Sequence, residues 1–201
     1  GFGMRFVSWT FVEELINNYG SPNNTNIFGL SLSDHNQLAY EKVKSLWKTT
    51  NRVAVIHATG TGKSHIILKT ILDFNNKNIL VVDPNTFILK KLQEDAPWIT
   101  NTANLITYSR LLRITEDGMK NMKLDLIILD EFHRCGAKKW GIRVKDLLNI
   151  HSSAFVLGTT ATPKRALDNN RDMSDEIFSG RIASKLSLAE AISKGILPNP
   201  K

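Results

Sequence analysis

The sequence predicts an α/β fold built on a mainly parallel sheet. Short, nearly continuous apolar runs recur along the chain, and stretches with helical spacing separate them. A glycine-rich turn lies between the first of these runs and a helix. Strands buried on both faces read as such runs, and strands alternating with helices imply right-handed crossovers covering a parallel sheet.

The elements follow in order. Residues 52–57, 78–83, 104–107, 124–129 and 154–158 are the predicted strands, with 104–107 the weakest. Between them, residues 35–47, 63–74, 86–95 and 144–150 carry apolar side chains at helical spacing. The third helix stops ahead of Pro97, which disfavours helix before it. Residues 6–19 read as an amphipathic helix ending at Gly20, and 21–26 as a polar loop. Residues 164–183 are charged and weakly periodic. Beyond them Ser187, Glu190 and Gly195 have the spacing of an N-cap, its capping-box partner and a left-handed helix end. An N-terminal extension over 1–30, partly helical, is expected ahead of one α/β domain over 31–201.

Composition narrows the function classes. A chain of 201 residues supports one sizeable core. No apolar run approaches the roughly 20 residues of a membrane span. The single cysteine, Cys135, forms no internal disulfide, which suits a reducing, cytoplasmic setting. A net charge of +7 suits a polyanionic partner, although many basic proteins bind no nucleic acid.

Two segments carry chemistry. The first is His57-Ala58-Thr59-Gly60-Thr61-Gly62-Lys63-Ser64. Glycines let backbone N–H groups converge on a phosphate, and the following helix adds partial positive charge. In this pattern Thr59, Gly60, Thr61 and Gly62 cradle phosphates, Lys63 reaches the β and γ phosphates, and Ser64 offers its hydroxyl to Mg²⁺. His57 stands where such loops usually have their first glycine. The second segment is Asp130-Glu131-Phe132-His133-Arg134, at the end of the strongest strand. Asp130 suits Mg²⁺ held through water, and Glu131 suits a base that orients or deprotonates an attacking water. Alone, the segment also reads as a strand ending in exposed acids.

Together with Gly158-Thr159-Thr160-Ala161-Thr162-Pro163, these motifs resemble the DExH-box proteins of helicase superfamily 2. The run from Asp130 to Gly141 resembles bacterial helicases related to the translocating subunit of type III restriction enzymes. The resemblance implies a three-layer, RecA-like P-loop NTPase domain. It implies ATP and Mg²⁺ as cofactors, with Lys63, Asp130 and Glu131 catalytic. It places the 154–158 strand between the phosphate-loop strand and the Asp130 strand. Gln37 becomes the candidate adenine reader, although an exposed helix residue would look the same. His133, Thr160 and Thr162 become coupling residues, with both threonines bonding toward the Asp130–His133 segment.

Two strand ends offer nucleic-acid contacts. Pro84, Asn85 and Thr86 combine polar groups with a helix N-terminus, which suits a backbone phosphate. Thr107 and Tyr108 match the family's next contact segment by resemblance. Ordinary helix capping by Thr86 and Ser109 explains the same letters. Arg134, Lys138, Lys139, Arg143 and Lys145 surround Trp140, a pattern that suits nucleic acid or a solvated face. The family implies DNA in preference to RNA as partner, and no membrane. It also implies a second RecA-like lobe that supplies arginines to the ATP site. The residues after Pro163 are too few to build that lobe, so this chain alone is expected to be nearly inactive. An NTP-driven remodelling or switch ATPase without nucleic acid, and a passive nucleic-acid-binding module, are the two competing classes.

Overall fold

In the computed structural model, residues 30–165 and 171–199 are described. The chain divides into two compact units, Gly1–Ser31 and Leu32–Lys201, and the architecture below is that of the second. The expected helix at 6–19 and loop at 21–26 lie outside the described residues.

Branched aliphatic runs become the strands β1 (Arg52–His57), β2 (Ile79–Asp83), β3 (Asn104–Thr107), β4 (Leu126–Asp130) and β5 (Phe155–Thr160). Five short boundaries differ from the apolar runs by a residue or two. A strand absent from the sequence reading, β8 (Ile182–Leu186), completes a six-stranded sheet ordered β3-β2-β4-β5-β1-β8. All five pairings in it are parallel. As expected, β5 lies between β1 and β4. Register then puts Asp130 opposite Thr159 and Leu129 opposite Gly158.

Helices α1 (Asp34–Leu46), α2 (Lys63–Asp73) and α3 (Thr86–Asp95) appear where helical spacing predicts them. Short helices α4 (Tyr108–Leu111) and α5 (Glu116–Asn121) were not anticipated. Helix α6 runs over Lys138–Ile150, beginning well before residue 144. The charged stretch after Pro163 is also ordered in part. It holds an antiparallel pair, β6 (Lys164–Arg165) with β7 (Arg171–Asp172), then α7 (Met173–Phe178). The last helix, α8 (Leu188–Ser193), has the expected capping box between Ser187 and Glu190.

Both faces of the sheet are covered. Ala54, Leu80, Val82, Ile127, Leu129 and Val156 pack into one core with Tyr108, Met119, Phe132, Leu147 and Phe178. The alternate residues Val53, Val55, Val81, Ile128 and Leu157 are equally buried. Gly158 marks a close approach of two aromatic rings to β5. A Cβ there would lie 2.2 Å from Phe178 Cζ and 2.9 Å from Phe132 Cδ1. Those two rings meet edge to face, 4.9 Å between centroids. This packing delivers the ends of β1, β4, β5 and β2 to one edge, where open α/β sheets form their ligand crevice. Among the described residues no helix is long and apolar enough to cross a membrane.

Candidate nucleotide-binding site

The loop between β1 and α2 is shaped by left-handed turns at Gly60 (φ 86°) and Gly62 (φ 84°), conformations that cost other residues strain. Gly62 is also the N-cap of α2. Thr61 is buried, and its hydroxyl donates to Ala58 O at 2.7 Å, so it braces the loop from within. Lys63 Nζ donates to His57 O at 3.0 Å and to Ala58 O at 3.4 Å. Thr59, Gly60 and Ser64 are exposed at the mouth.

The loop is also held from outside. Asn36, buried at the start of α1, donates its amide to Thr61 O (2.8 Å) and Gly62 O (3.2 Å). His35 Nε2 lies 2.8 Å from the same Thr61 carbonyl. Gln37 points elsewhere: it is exposed and donates to Glu41 Oε1 at 2.9 Å. His35 and Asn36, which directly precede Gln37, were not singled out in the sequence. Their polarity on the inner side of an otherwise apolar helix face was the signal.

His57 occupies the usual first-glycine position without crowding the loop. Its ring is buried and meets Ser184 Oγ on β8 at 2.8 Å. Burial, then the charges of His35 and Lys63, pushes its pKa down to about 4, so the ring is neutral near pH 7.

Across the cleft, β4 ends at the acid pair. Asp130 Oδ1 accepts from Thr159 Oγ1 at 2.6 Å and from the Glu131 N–H at 2.9 Å. The Asp130 carbonyl accepts from Tyr108 OH at 3.0 Å. Glu131 then turns the chain with φ 48°, an uncommon conformation for a residue with a side chain. Its carboxylate accepts from Thr160 Oγ1 at 2.9 Å and lies 3.2 Å from His133 Nδ1. His133 Nδ1 is also 2.9 Å from Thr160 Oγ1. Thus Thr160 bonds toward the Asp130–His133 segment, as the resemblance implies, and His133 meets Glu131 as well. Thr162 does not: only its backbone takes part, through bonds with Thr160 Oγ1. The second threonine bonding this segment is Thr159, because strand register places it opposite Asp130.

These contacts set the electrostatics. Burial raises the pKa of Glu131, but hydrogen bonds with His133 and Thr160 and the Lys63 charge outweigh it, so the carboxylate titrates below its usual range. Burial pushes Asp130 up, against the bond from Thr159. Asp83, at the end of β2, is raised to about 7 by burial, against the Asn85 N–H bond and with the nearby charge of Asp130. Cys135 is buried and pushed up to about 12 by that burial, which suits a packing role and not a nucleophile.

One cleft of about 1100 Å³ unites these groups. Its walls include Thr59, Gly60, Gly62, Lys63, Ser64, Asp130, Glu131, His133 and Thr162. Pro84, Asn85, Arg134 and Trp140 line it further along. Among the described residues no cluster of three metal-ligating side chains occurs. Mg²⁺ keeps most of its waters and needs only one or two carboxylates, so the donor set of Ser64 and Asp130 fits it.

The nucleic-acid candidates fare unevenly. Pro84 and Asn85 reach the cleft, and Thr86 is exposed. The caps are Asn85, accepting from Phe87 N–H, and Thr107, accepting from Arg110 N–H; Thr86 and Ser109 do not serve. Tyr108 requires correction as a nucleic-acid contact. It is 1% exposed, because its ring fills the core beside β4 and stacks on Trp140 (5.4 Å, 17°). Arg134, Lys138, Lys139 and Lys145 are exposed, whereas Arg143 turns inward to Leu111 O and Asp146.

Comparison with known proteins agrees with this fold. The family described as "Type III restriction enzyme, res subunit" matches residues 29–104 and 99–165. The chain is 27% identical over 188 residues to a type I restriction enzyme EcoAI endonuclease subunit of Escherichia coli, covering 80% of this chain and 22% of that protein. Among solved structures it resembles the ATP-dependent type ISP restriction-modification enzyme LlaBIII bound to DNA (TM-score 0.65, 20% identity, 85% of this chain, 16% of that one). It also resembles a nuclease-deletion mutant of the type ISP enzyme LlaGI in complex with a DNA substrate mimic (TM-score 0.66, 22% identity, 83% of this chain, 18% of that one). The chain therefore spans about a fifth of the EcoAI subunit and less of the other two.

Proposed function

Because the chain belongs to the family of type III restriction enzyme res subunits and has the fold of a helicase-type RecA-like lobe, we propose that it is the ATP-binding lobe of a DNA translocase. The observation that carries this reading is that Lys63 and Ser64 of the phosphate loop line the same cleft as Asp130 and Glu131 at the end of β4.

The chemistry assigned to the chain is hydrolysis of the γ-phosphoanhydride. Backbone N–H groups of Gly60 to Lys63 cradle the phosphates, and Lys63 Nζ leaves the His57 and Ala58 carbonyls to meet them. Glu131 orients a water toward the γ phosphorus and takes its proton as the bond to the departing ADP oxygen breaks. Ser64 and, through water, Asp130 would hold Mg²⁺, which would supply positive charge against that building on the phosphates. Thr160 and His133, both bonded to Glu131, tie its position to the segment leading toward Pro163.

The relatives named with DNA support DNA as the track, and sequence-independent phosphate contacts suit stepping along it. In this reading a second lobe of the parent protein supplies arginines to the transition state, a contribution of about 10³–10⁵ in rate. The test is ATP hydrolysis by this chain, alone and with single-stranded DNA, duplex DNA or RNA, beside Lys63→Ala. Rates near background in every tube are expected. Efficient, Lys63-dependent turnover by the homogeneous monomer would contradict the need for a second lobe.

A further inference from the structure

Tyr108 touches two residues of the cleft wall, Trp140 and Asp130. Its ring is buried against Trp140, and Trp140, half-buried in the first turn of α6, lines the cleft beside Asn85 and Arg134. Its hydroxyl reaches the other way, to the carbonyl of Asp130. That carbonyl shares a peptide unit with the Glu131 N–H, which in turn donates to Asp130 Oδ1. One rigid plane is therefore held by Tyr108 on its oxygen side and by the Asp130 carboxylate on its nitrogen side. Tilting this plane moves both acids at once. Packing alone would be served as well by phenylalanine. The buried hydroxyl is satisfied at this carbonyl, with Cys135 Sγ also 3.7 Å away.

We propose that Tyr108 is a positioning residue through which DNA at the Trp140 wall sets the Asp130–Glu131 peptide, linking DNA affinity to the affinity for Mg²⁺·ATP. This rests on the function proposed above and adds a route to it. The route runs from α6 and the segment after β3, separate from the one through Thr160 and His133. A base or sugar resting on the exposed part of Trp140 shifts the stacked pair, and the hydroxyl carries that shift to Asp130. By linkage the effect is reciprocal.

The experiment measures a fluorescent ATP analogue binding to this chain with Mg²⁺, with and without a single-stranded or duplex DNA oligonucleotide. In the wild type, saturating DNA is expected to tighten nucleotide binding by at least about fivefold, the lower range of allosteric coupling. Tyr108→Phe keeps the ring, the stack and the fold, and is expected to reduce that factor to below about twofold, since one neutral hydrogen bond carries roughly a two- to twelvefold effect. The factor is taken for each protein against its own nucleotide affinity without DNA, so a change in that basal affinity does not mimic a loss of coupling. Trp140→Phe, which keeps an aromatic face toward Tyr108, should retain part of the coupling, and Trp140→Ala should lose it. An undiminished factor in Tyr108→Phe, or a wild-type factor near one with both ligands bound, would overturn the proposal. Failure of the wild type to bind any oligonucleotide without nucleotide would overturn the DNA reading itself, and the single-ligand titration separates that result from loss of coupling.

Discussion

The side-chain amide of Asn36 donates to the carbonyl of Thr61 at 2.8 Å, so α1 grips the phosphate loop at the peptide beside Gly62. Asn36→Ala removes this bond and the weaker one to Gly62, and leaves two loop carbonyls without these donors. Both carbonyls keep another contact, Thr61 O with His35 Nε2 and Gly62 O with the His65 N–H, so the loss is that of ordinary hydrogen bonds, about 0.5–1.5 kcal/mol each. Nucleotide binding is therefore expected to weaken roughly two- to twelvefold in a titration. Gln37→Ala, which loses only the bond to Glu41, should change it far less. Equal effects of the two variants would show that the adenine role expected for Gln37 outweighs the grip of Asn36.

The hydroxyl of Thr159 holds Asp130 Oδ1, whereas Thr162 contributes only backbone to its neighbours. Thr159→Val should raise the Mg²⁺ concentration needed for half-maximal nucleotide binding. Thr162→Val should leave that midpoint near wild type. A shifted midpoint in Thr162→Val with none in Thr159→Val would reverse the assignment drawn from strand register.

His57 gives the fold a pH dependence of known sign. Its folded pKa is lowered to about 4 from 6.5, so between those values the unfolded chain binds more protons. Its contribution to stability is fully present above pH 6.5 and is lost as the pH falls toward 4. One group changes the slope by at most about 1.4 kcal/mol per pH unit. His57→Gln, which can still bond Ser184, should flatten the fall in denaturation midpoint between pH 7 and pH 5. A slope unchanged by the variant would place the titration elsewhere.

Gly158 admits no side chain, because Phe178 and Phe132 fill the space a Cβ would need. Overpacking of this kind costs about 1–3 kcal/mol. Gly158→Ala should lower the denaturation midpoint by a matching amount without changing its cooperativity. An unchanged midpoint would mean that the two rings shift freely, against the edge-to-face packing described.

The central strands were legible because they are buried on both faces, so their letters are nearly all apolar: β1, β2, β4 and β5 stand out in any window. Edge strand β8 was not. Ser184 and Lys185 interrupt its apolar letters, and its exposed side needs none. The first turn of α6 was hidden because Gly141 and a run of basic residues mask the helical spacing that begins plainly at Val144. At the site, Lys63, Ser64, Asp130 and Glu131 could be found because phosphate chemistry demands those residue types in that order. Asn36 and Gln37 could not be told apart by spacing, since adjacent helix residues differ only in the face they present. Tyr108 misled for a related reason. A Thr-Tyr pair after a strand reads as a surface motif, but the hydroxyl of the second residue is used inside the protein, on the Asp130 carbonyl.

Calorimetric titration of this chain with a non-hydrolysable ATP analogue shows whether Lys63 and Asp130 frame a Mg²⁺·nucleotide site. With Mg²⁺ present, one site per chain is expected. Lys63→Ala should weaken it at least about tenfold, as loss of a charge-assisted phosphate contact implies, and removing Mg²⁺ with a chelator should weaken it further. Absence of binding by the wild type, or binding of equal strength by Lys63→Ala, would rule that site out.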